Sequence, residues 1–220
     1  WLLSVSFLFA IYISAFTQSI VPDSLISLLK HSPDKEKIDV YQTIITGLWR
    51  NNPDSALLYA KKAVHFAEGL NDIRARAIAA RLHGGAYFYL GKYDSVLIYT
   101  KQAYTLSAEA GDSSLIAASL SNLGEVYVQM GNYPEGLGNL LQSLNIKRKI
   151  NQKYGLANTL NNISLLYMKL KDYTKAREFS IEAMNTADQL GDNNPKLYAS
   201  NNLGFTYLYT GDLEEAKKHF

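Results

Sequence analysis

Asparagine side chains recur at one spacing in the second half of the chain. A constant interval of about 40 residues separates Asn122, Asn162 and Asn202. The position directly before this one is also polar in four successive intervals, where it holds Arg81, Ser121, Asn161 and Asn201. A primary amide carries two hydrogen-bond donors and an acceptor, so a row of amides could bind the main chain of a peptide with little regard to its sequence. The alternative is that these amides cap or bridge neighbouring helices, since asparagine is a poor residue for the middle of a helix.

No comparable set of side chains is spaced for catalysis or metal binding. The sequence contains no cysteine, which excludes disulfides, thiol catalysis and cysteine-ligated metal sites. The four histidines are far apart and lack the spacing of a zinc motif. We therefore expect no metal, no cofactor and no enzymatic activity in this part of the protein. His83 replaces a core leucine of the pattern described below, and we expect it to be partly buried and hydrogen-bonded.

The charge of the chain points away from nucleic acid as a partner. There are 22 basic and 20 acidic residues, and the net charge is +2. Such a balance gives no extended basic surface for phosphate groups. One basic cluster, Lys147-Arg148-Lys149, lies near the end of a predicted helix, where the helix dipole favours cations. We interpret it as a solvated helix end, with contact to an anionic partner as the alternative. A protein or a peptide is the expected partner.

The same interval organises most of the chain. Turn-forming triplets recur at this step, at Gly91-Lys92-Tyr93, Gly131-Asn132-Tyr133, Lys171-Asp172-Tyr173 and Gly211-Asp212-Leu213. Tyrosine recurs in the same way at Tyr87, Tyr127, Tyr167 and Tyr207. Several markers that repeat in phase indicate a repeat protein.

Each interval has the pattern of two helices. Leu120, Leu123 and Tyr127 recur at steps of three and four residues, which predicts one apolar helix face. Gly131 should end this helix in the left-handed conformation, and Pro134 suits the first turn of the next one. Small residues should let the two helices approach closely; they are Gly84, Gly124, Ser164 and Gly204. Because one pair of helices cannot bury its apolar face alone, the pairs must stack into an all-α solenoid.

The repeated residues resemble a known family. Leu120-x-x-Leu123-Gly124-x-x-Tyr127 is similar to the tetratricopeptide pattern W-x2-L-G-x2-Y, although the tryptophan position never holds tryptophan here. The long unit resembles the branch of that family with longer units, known for binding extended or helical peptides. The resemblance implies stacked antiparallel helix pairs in a right-handed superhelix over residues 33–220. We number the units one to five, at about 33–72, 73–112, 113–152, 153–192 and 193–220, the last one truncated.

The resemblance also implies where a ligand would bind. In the tetratricopeptide family the first helix of each unit lines the concave surface, and asparagine there commonly bonds the backbone of a bound peptide. The implied peptide groove contains Arg81, Ser121, Asn122, Glu125, Asn161, Asn162, Leu165, Asn201, Asn202 and Phe205. The residues at two further repeat positions would line the same groove. They are Val128, Met168 and Leu208 at one position, and Gln129, Lys169 and Tyr209 at the other.

The beginning of the sequence predicts export. Residues 1–16 are almost entirely apolar, and no charged residue precedes Asp23. This pattern favours a signal peptide over residues 1–19. An uncleaved membrane anchor formed by residues 1–17 and a buried helix are the alternatives. A short helix and a linker are expected over residues 20–32.

This arrangement is similar to the extracytoplasmic regions of certain bacterial signalling proteins. In those families a tetratricopeptide array precedes a transmembrane helix and a cytoplasmic histidine kinase, DNA-binding or cyclase module. The resemblance implies a periplasmic or membrane-anchored sensor or scaffold domain within a longer protein, attached to the membrane through residues 1–17 or through a further C-terminal helix. The alternative function is a structural spacer or self-association module without a peptide ligand.

Overall fold

The computed structural model describes residues 21–190 and 193–220, apart from the side chain of Tyr154. The predicted signal peptide, residues 1–19, lies outside this part. The described residues form α-helices and no strand. The helices are α1 Asp23–His31, α2 Asp34–Leu48, α3 Pro53–Glu68, α4 Ile73–Tyr89, α5 Tyr93–Glu109, α6 Ser113–Gln129, α7 Tyr133–Lys149, α8 Lys153–Lys169, α9 Tyr173–Asp188, α10 Asn193–Thr210 and α11 Leu213–His219. None of them is long and apolar enough to cross a membrane.

Tight turns join the two helices of each pair. Gly131 ends α6 with a φ of 79°, in the left-handed region where glycine has no steric penalty. Lys171 takes the same position between α8 and α9 with a φ of 62°, although its side chain is not suited to this region. The backbone turn is therefore retained where glycine is absent. Pro134 lies in the first turn of α7, as the sequence predicts.

Side-chain caps mark the beginnings of several helices. The Asp112 carboxylate accepts a hydrogen bond from the backbone N–H of Leu115 at 3.0 Å, at the start of α6. The carboxylates of Asp72, Asp172 and Asp212 cap α4, α9 and α11 in the same way. Such caps satisfy backbone donors that a helix leaves free at its N-terminus. Local sequence thus fixes where the helices begin.

The helices pack as a curved stack. The first helices α2, α4, α6 and α8 each contact the first helix of the next unit, the last of which is α10, whereas no two second helices are in contact within the described residues. The first helices therefore lie closer together and form the inner side of the curve, as the resemblance implied. The curvature brings unit one close to unit five. There the Arg50 guanidinium of unit one donates a hydrogen bond to the Tyr198 hydroxyl of unit five. The stack is the expected all-α solenoid.

Two buried polar residues differ from the sequence-based expectation, and the first is Lys147. Its side chain is 4% exposed, and its ammonium donates hydrogen bonds to Ser121 Oγ at 2.8 Å and to Thr159 Oγ1 at 2.7 Å. Burial lowers the pKa of Lys147 to about 7. The interpretation of a solvated helix end is wrong for this residue, because Lys147 passes between α6 and α8. Arg148 and Lys149 are exposed as expected.

His83 is the second buried polar residue that differs from the sequence-based expectation. It is 5% exposed, and its ring centroid lies 3.9 Å from that of Tyr99 and 5.1 Å from that of Tyr87. Neither ring nitrogen has a hydrogen-bond partner among the described residues. Burial lowers the pKa of His83 to about 4 and favours the neutral ring. The predicted burial is confirmed, but the predicted hydrogen bond is wrong, because the ring packs against aromatic rings instead.

Candidate binding groove on the first helices

The two neighbouring asparagine registers have different surroundings. Asn122 and Asn162 are partly exposed on α6 and α8, and neither amide has a hydrogen-bond partner in the part of the chain that the structure describes. Asn161 is 5% exposed, and its amide donates to the Pro195 carbonyl at 2.9 Å. The Asn202 amide donates to the Asn161 carbonyl at 3.3 Å. Asn161 and Asn202 thus bridge neighbouring first helices, and Asn122 and Asn162 keep amides available for another molecule.

The remaining members of the Asn161 register lie mainly between helices as well. The Arg81 guanidinium donates to Gln42 Oε1 at 2.7 Å, and burial lowers its pKa. Ser121 is 8% exposed and contacts Thr159 at 2.9 Å. Asn201 is partly exposed. This register therefore contributes chiefly to the packing of adjacent units.

The predicted apolar positions of the groove are accessible in units four and five. Leu165 and Phe205 are 37% and 44% exposed. They occupy the position of Glu125 on the next two first helices. Val128 does not line the groove, because it is buried where α6 packs against α7. The accessible surface thus changes from a carboxylate in unit three to apolar side chains in units four and five.

A small cavity opens beside Asn122 and Glu125. Its volume is about 60 Å³, and it is lined by Trp49, Gly85, Phe88, Tyr89, Val96, Asn122 and Glu125. The rings of Trp49 and Tyr89 stack with their centroids 5.5 Å apart. The Trp49 ring fits here because unit two has glycine at position 85, where an added Cβ would lie 2.5 Å from Trp49 Cζ2. We call this space the Glu125 cavity.

Glu125 is the acidic group of this cavity. It is partly buried, and within the described residues it forms neither a hydrogen bond nor a close ion pair. Burial raises the pKa of its carboxyl group to about 7, and the charge of Arg50 lowers it by a smaller amount. The pKa of Tyr89 is also raised, chiefly by burial, with Arg50 acting in the opposite direction. The cavity therefore holds a carboxylate whose negative charge is poorly compensated.

The sequence-based reasoning missed Trp49, Arg50, Tyr89 and Tyr198. A signal existed for two of them, since Trp49 and Tyr89 precede Gln129 by two intervals and one interval of the repeat. Extending that predicted register towards the N-terminus would have placed both in the groove. No such signal existed for Arg50 and Tyr198, because their contact depends on the curvature of the whole stack. The Arg50 guanidinium lies 5.4 Å from the centre of the Tyr198 ring.

The described residues contain no group of three or more acidic or histidine side chains that could hold a metal ion.

Comparison with solved structures shows the same fold in several proteins. BtubC (BKLC) from P. vanneervenii has a TM-score of 0.70 and 19% identity, over 94% of this chain and 86% of that one. A Rap protein complexed with competence and sporulation factor has a TM-score of 0.74 and 18% identity over 87% of this chain. This chain spans 54% of that protein's length. A putative kinesin light chain from Podosopora anserina with TPR-like repeats has a TM-score of 0.63 and 16% identity, over 86% of this chain and 93% of that one.

The sequence was also compared with curated proteins and with protein families. No curated protein matches the sequence significantly. The family model for the tetratricopeptide repeat matches residues 75–149, 115–167 and 155–220, which together span residues 75–220. With its paired helices and its constant repeat interval, this chain belongs to the tetratricopeptide repeat family.

Proposed function

We propose that this array binds an extended segment of a protein or peptide along its first helices. The observation that carries the proposal is the pair of unengaged amides, Asn122 and Asn162, at equivalent positions on adjacent first helices. Each amide can donate to a main-chain carbonyl and accept from a main-chain N–H of the segment. Leu165 and Phe205 offer apolar contacts further along the same face.

The comparisons support this proposal at the level of the fold. The Rap protein with a similar fold was solved in complex with competence and sporulation factor. Tetratricopeptide arrays are typically not enzymes, so we propose a binding role and no catalysis for this chain. At 19% and 18% sequence identity, the likeness to BtubC and to the Rap protein lies in the fold.

We expect Asn122→Ala combined with Asn162→Ala to weaken peptide binding at least tenfold, because two hydrogen bonds in a partly dry groove together contribute about this factor. The probe is a fluorescent peptide selected from a random display library on the natural chain. Its dissociation constant is measured by fluorescence anisotropy.

The matched control is Asn145→Ala combined with Asn185→Ala, which changes two exposed asparagines on the second helices α7 and α9. This control should bind like the natural chain, and circular dichroism should show equal helicity in all three proteins. Equal affinity of the two double variants would contradict the groove. If the library yields no peptide and light scattering shows concentration-dependent association, the array is a self-association module instead.

We also propose that the chain acts outside the cytoplasm, as the input domain of a larger signalling protein. The support for export is the apolar segment of residues 1–16 and the lack of charge before Asp23. The signalling role rests on the resemblance of this arrangement to the extracytoplasmic regions of bacterial signalling proteins. Fusion of the chain, with an added initiator methionine, to alkaline phosphatase without its own signal should give active enzyme in bacteria. Deletion of residues 1–19 should remove that activity, and equal activity without them would contradict export.

A further inference from the structure

We infer that the Glu125 cavity is a subsite for a basic side chain of the bound segment, with the cation placed between the Glu125 carboxylate and the stacked rings of Trp49 and Tyr89. This inference rests on the proposed function, because it specifies the chemistry of one residue of the segment. It makes position 125 a determinant of specificity within the groove.

The first support for this inference is the charge balance of the cavity. Glu125 has no hydrogen bond or close ion pair among the described residues, and the cation that acts on it, Arg50, donates to the Tyr198 hydroxyl instead. Burial raises the pKa of Glu125 by more than the charge of Arg50 lowers it. A ligand cation would supply the missing positive charge, whereas a second acidic group would add repulsion.

The shape and the walls of the cavity select the kind of cation. A volume of about 60 Å³ is several times the roughly 10–15 Å³ that a cavity needs to hold one water molecule, and it suits the end of a side chain. Trp49, Phe88 and Tyr89 line it with aromatic surface. Aromatic faces attract ammonium and guanidinium groups and also contact the methylene groups that precede them. Lysine and arginine side chains combine both properties.

The position of the cavity fits a segment bound to the asparagines. Asn122 lines the cavity and lies one helical turn before Glu125 in α6. A main chain that is hydrogen-bonded to Asn122 therefore passes directly beside the opening. One of its side chains can then enter the cavity without a change in the path of the main chain.

The test uses the display library described above, selected on the natural chain. We expect lysine or arginine to be enriched at one peptide position. Replacing that residue by glutamine should weaken binding about tenfold, a typical value for a partly desolvated charge pair. On Glu125→Gln, the basic peptide and its glutamine form should bind equally. The control Glu178→Gln changes an exposed glutamate on the second helix α9 and should retain the tenfold difference.

The outcomes separate this inference from the proposed function. Peptides that bind through Asn122 and Asn162 but show no basic preference overturn the subsite and leave the groove intact. A tenfold preference that persists in Glu125→Gln also overturns the subsite. A library that yields no binding peptide overturns both proposals.

A pH series gives a second measurement on the natural chain. Since the pKa of Glu125 is about 7, its carboxyl group is mostly ionised at pH 8 and mostly neutral at pH 6. The other charged or titratable groups that act on it are Arg50, which stays charged, and Tyr89, whose raised pKa keeps it neutral. The preference for the basic peptide should fall several-fold from pH 8 to pH 6. A constant preference over this range would overturn the subsite.

Discussion

Lys147→Met should stabilise the array at neutral pH and remove most of the rise in stability that we expect for the natural chain between pH 7 and pH 10. In the unfolded chain the ammonium of Lys147 is solvated and keeps its proton up to about pH 10.4. In the folded chain, burial lowers the pKa to about 7, and the charge of Arg81 acts in the same direction. Between these values the unfolded state binds the additional proton. The free energy of unfolding therefore increases with pH, by about 1.4 kcal/mol per pH unit.

The surroundings of Lys147 explain why methionine should be accepted. No carboxylate among the described residues forms an ion pair with Lys147, so the substitution leaves no acidic group without its partner. The two hydroxyls that accept from its ammonium keep other hydrogen bonds, because Ser121 contacts Ser143 at 2.8 Å and Thr159 donates to the Gly155 carbonyl at 3.0 Å. Methionine has nearly the same length and carries no charge into the interior. We expect a gain of about 1–3 kcal/mol at pH 7.

Urea unfolding followed by circular dichroism from pH 6 to pH 10 measures this effect. The matched control is Lys149→Met, which changes an exposed lysine two residues further along α7. Its pH curve should run parallel to that of the natural chain, while the curve of Lys147→Met should be flatter. Other titrating groups are shared by all three proteins and cancel in the differences. Parallel curves for all three would show that Lys147 stays protonated in the folded state.

Gly124→Ala should destabilise the array by about 1–3 kcal/mol, although alanine is the better helix former. An added Cβ at Gly124 would lie 2.6 Å from Leu140 Cγ and 3.0 Å from the Gly136 carbonyl oxygen. Leu140 is completely buried and the carbonyl belongs to the backbone of α7, so neither can move away cheaply. The two helices of unit three would have to separate.

Gly138→Ala is the matched control in the same pair of helices. Nothing lies within 4 Å of a Cβ added at Gly138, which is exposed on α7. This variant should gain about 1 kcal/mol from helix propensity alone. Urea midpoints measured under identical conditions should therefore move in opposite directions for the two glycines. A gain in both variants would mean that α6 and α7 can separate at little cost.

Local patterns in the sequence were sufficient to predict where the helices lie and how they pair. The left-handed turn at Gly131 and the close approach at Gly124 follow from residue types that recur at the repeat interval. These properties depend on neighbours within one unit, where backbone sterics and capping dominate. The repeat interval also predicts that Asn122, Glu125 and Gln129 lie on one face of their helix. The residues one and two intervals before Gln129 are Tyr89 and Trp49, so the same pattern would have placed them on this face.

Only the tertiary structure decided which polar groups are available for a partner. Asn161 and Asn162 are adjacent and identical, yet the first bonds to Pro195 in the next unit and the second has no bond among the described residues. Their difference arises because successive residues of an α-helix point about 100° apart, so one side chain faces the neighbouring first helix and the next faces the groove. The curvature adds up along the stack and brings Arg50 to Tyr198 beside the Glu125 cavity. The sequence by itself therefore determined the repeat and its helices, while the sum of rotations between units determined the shape and the charge of the candidate site.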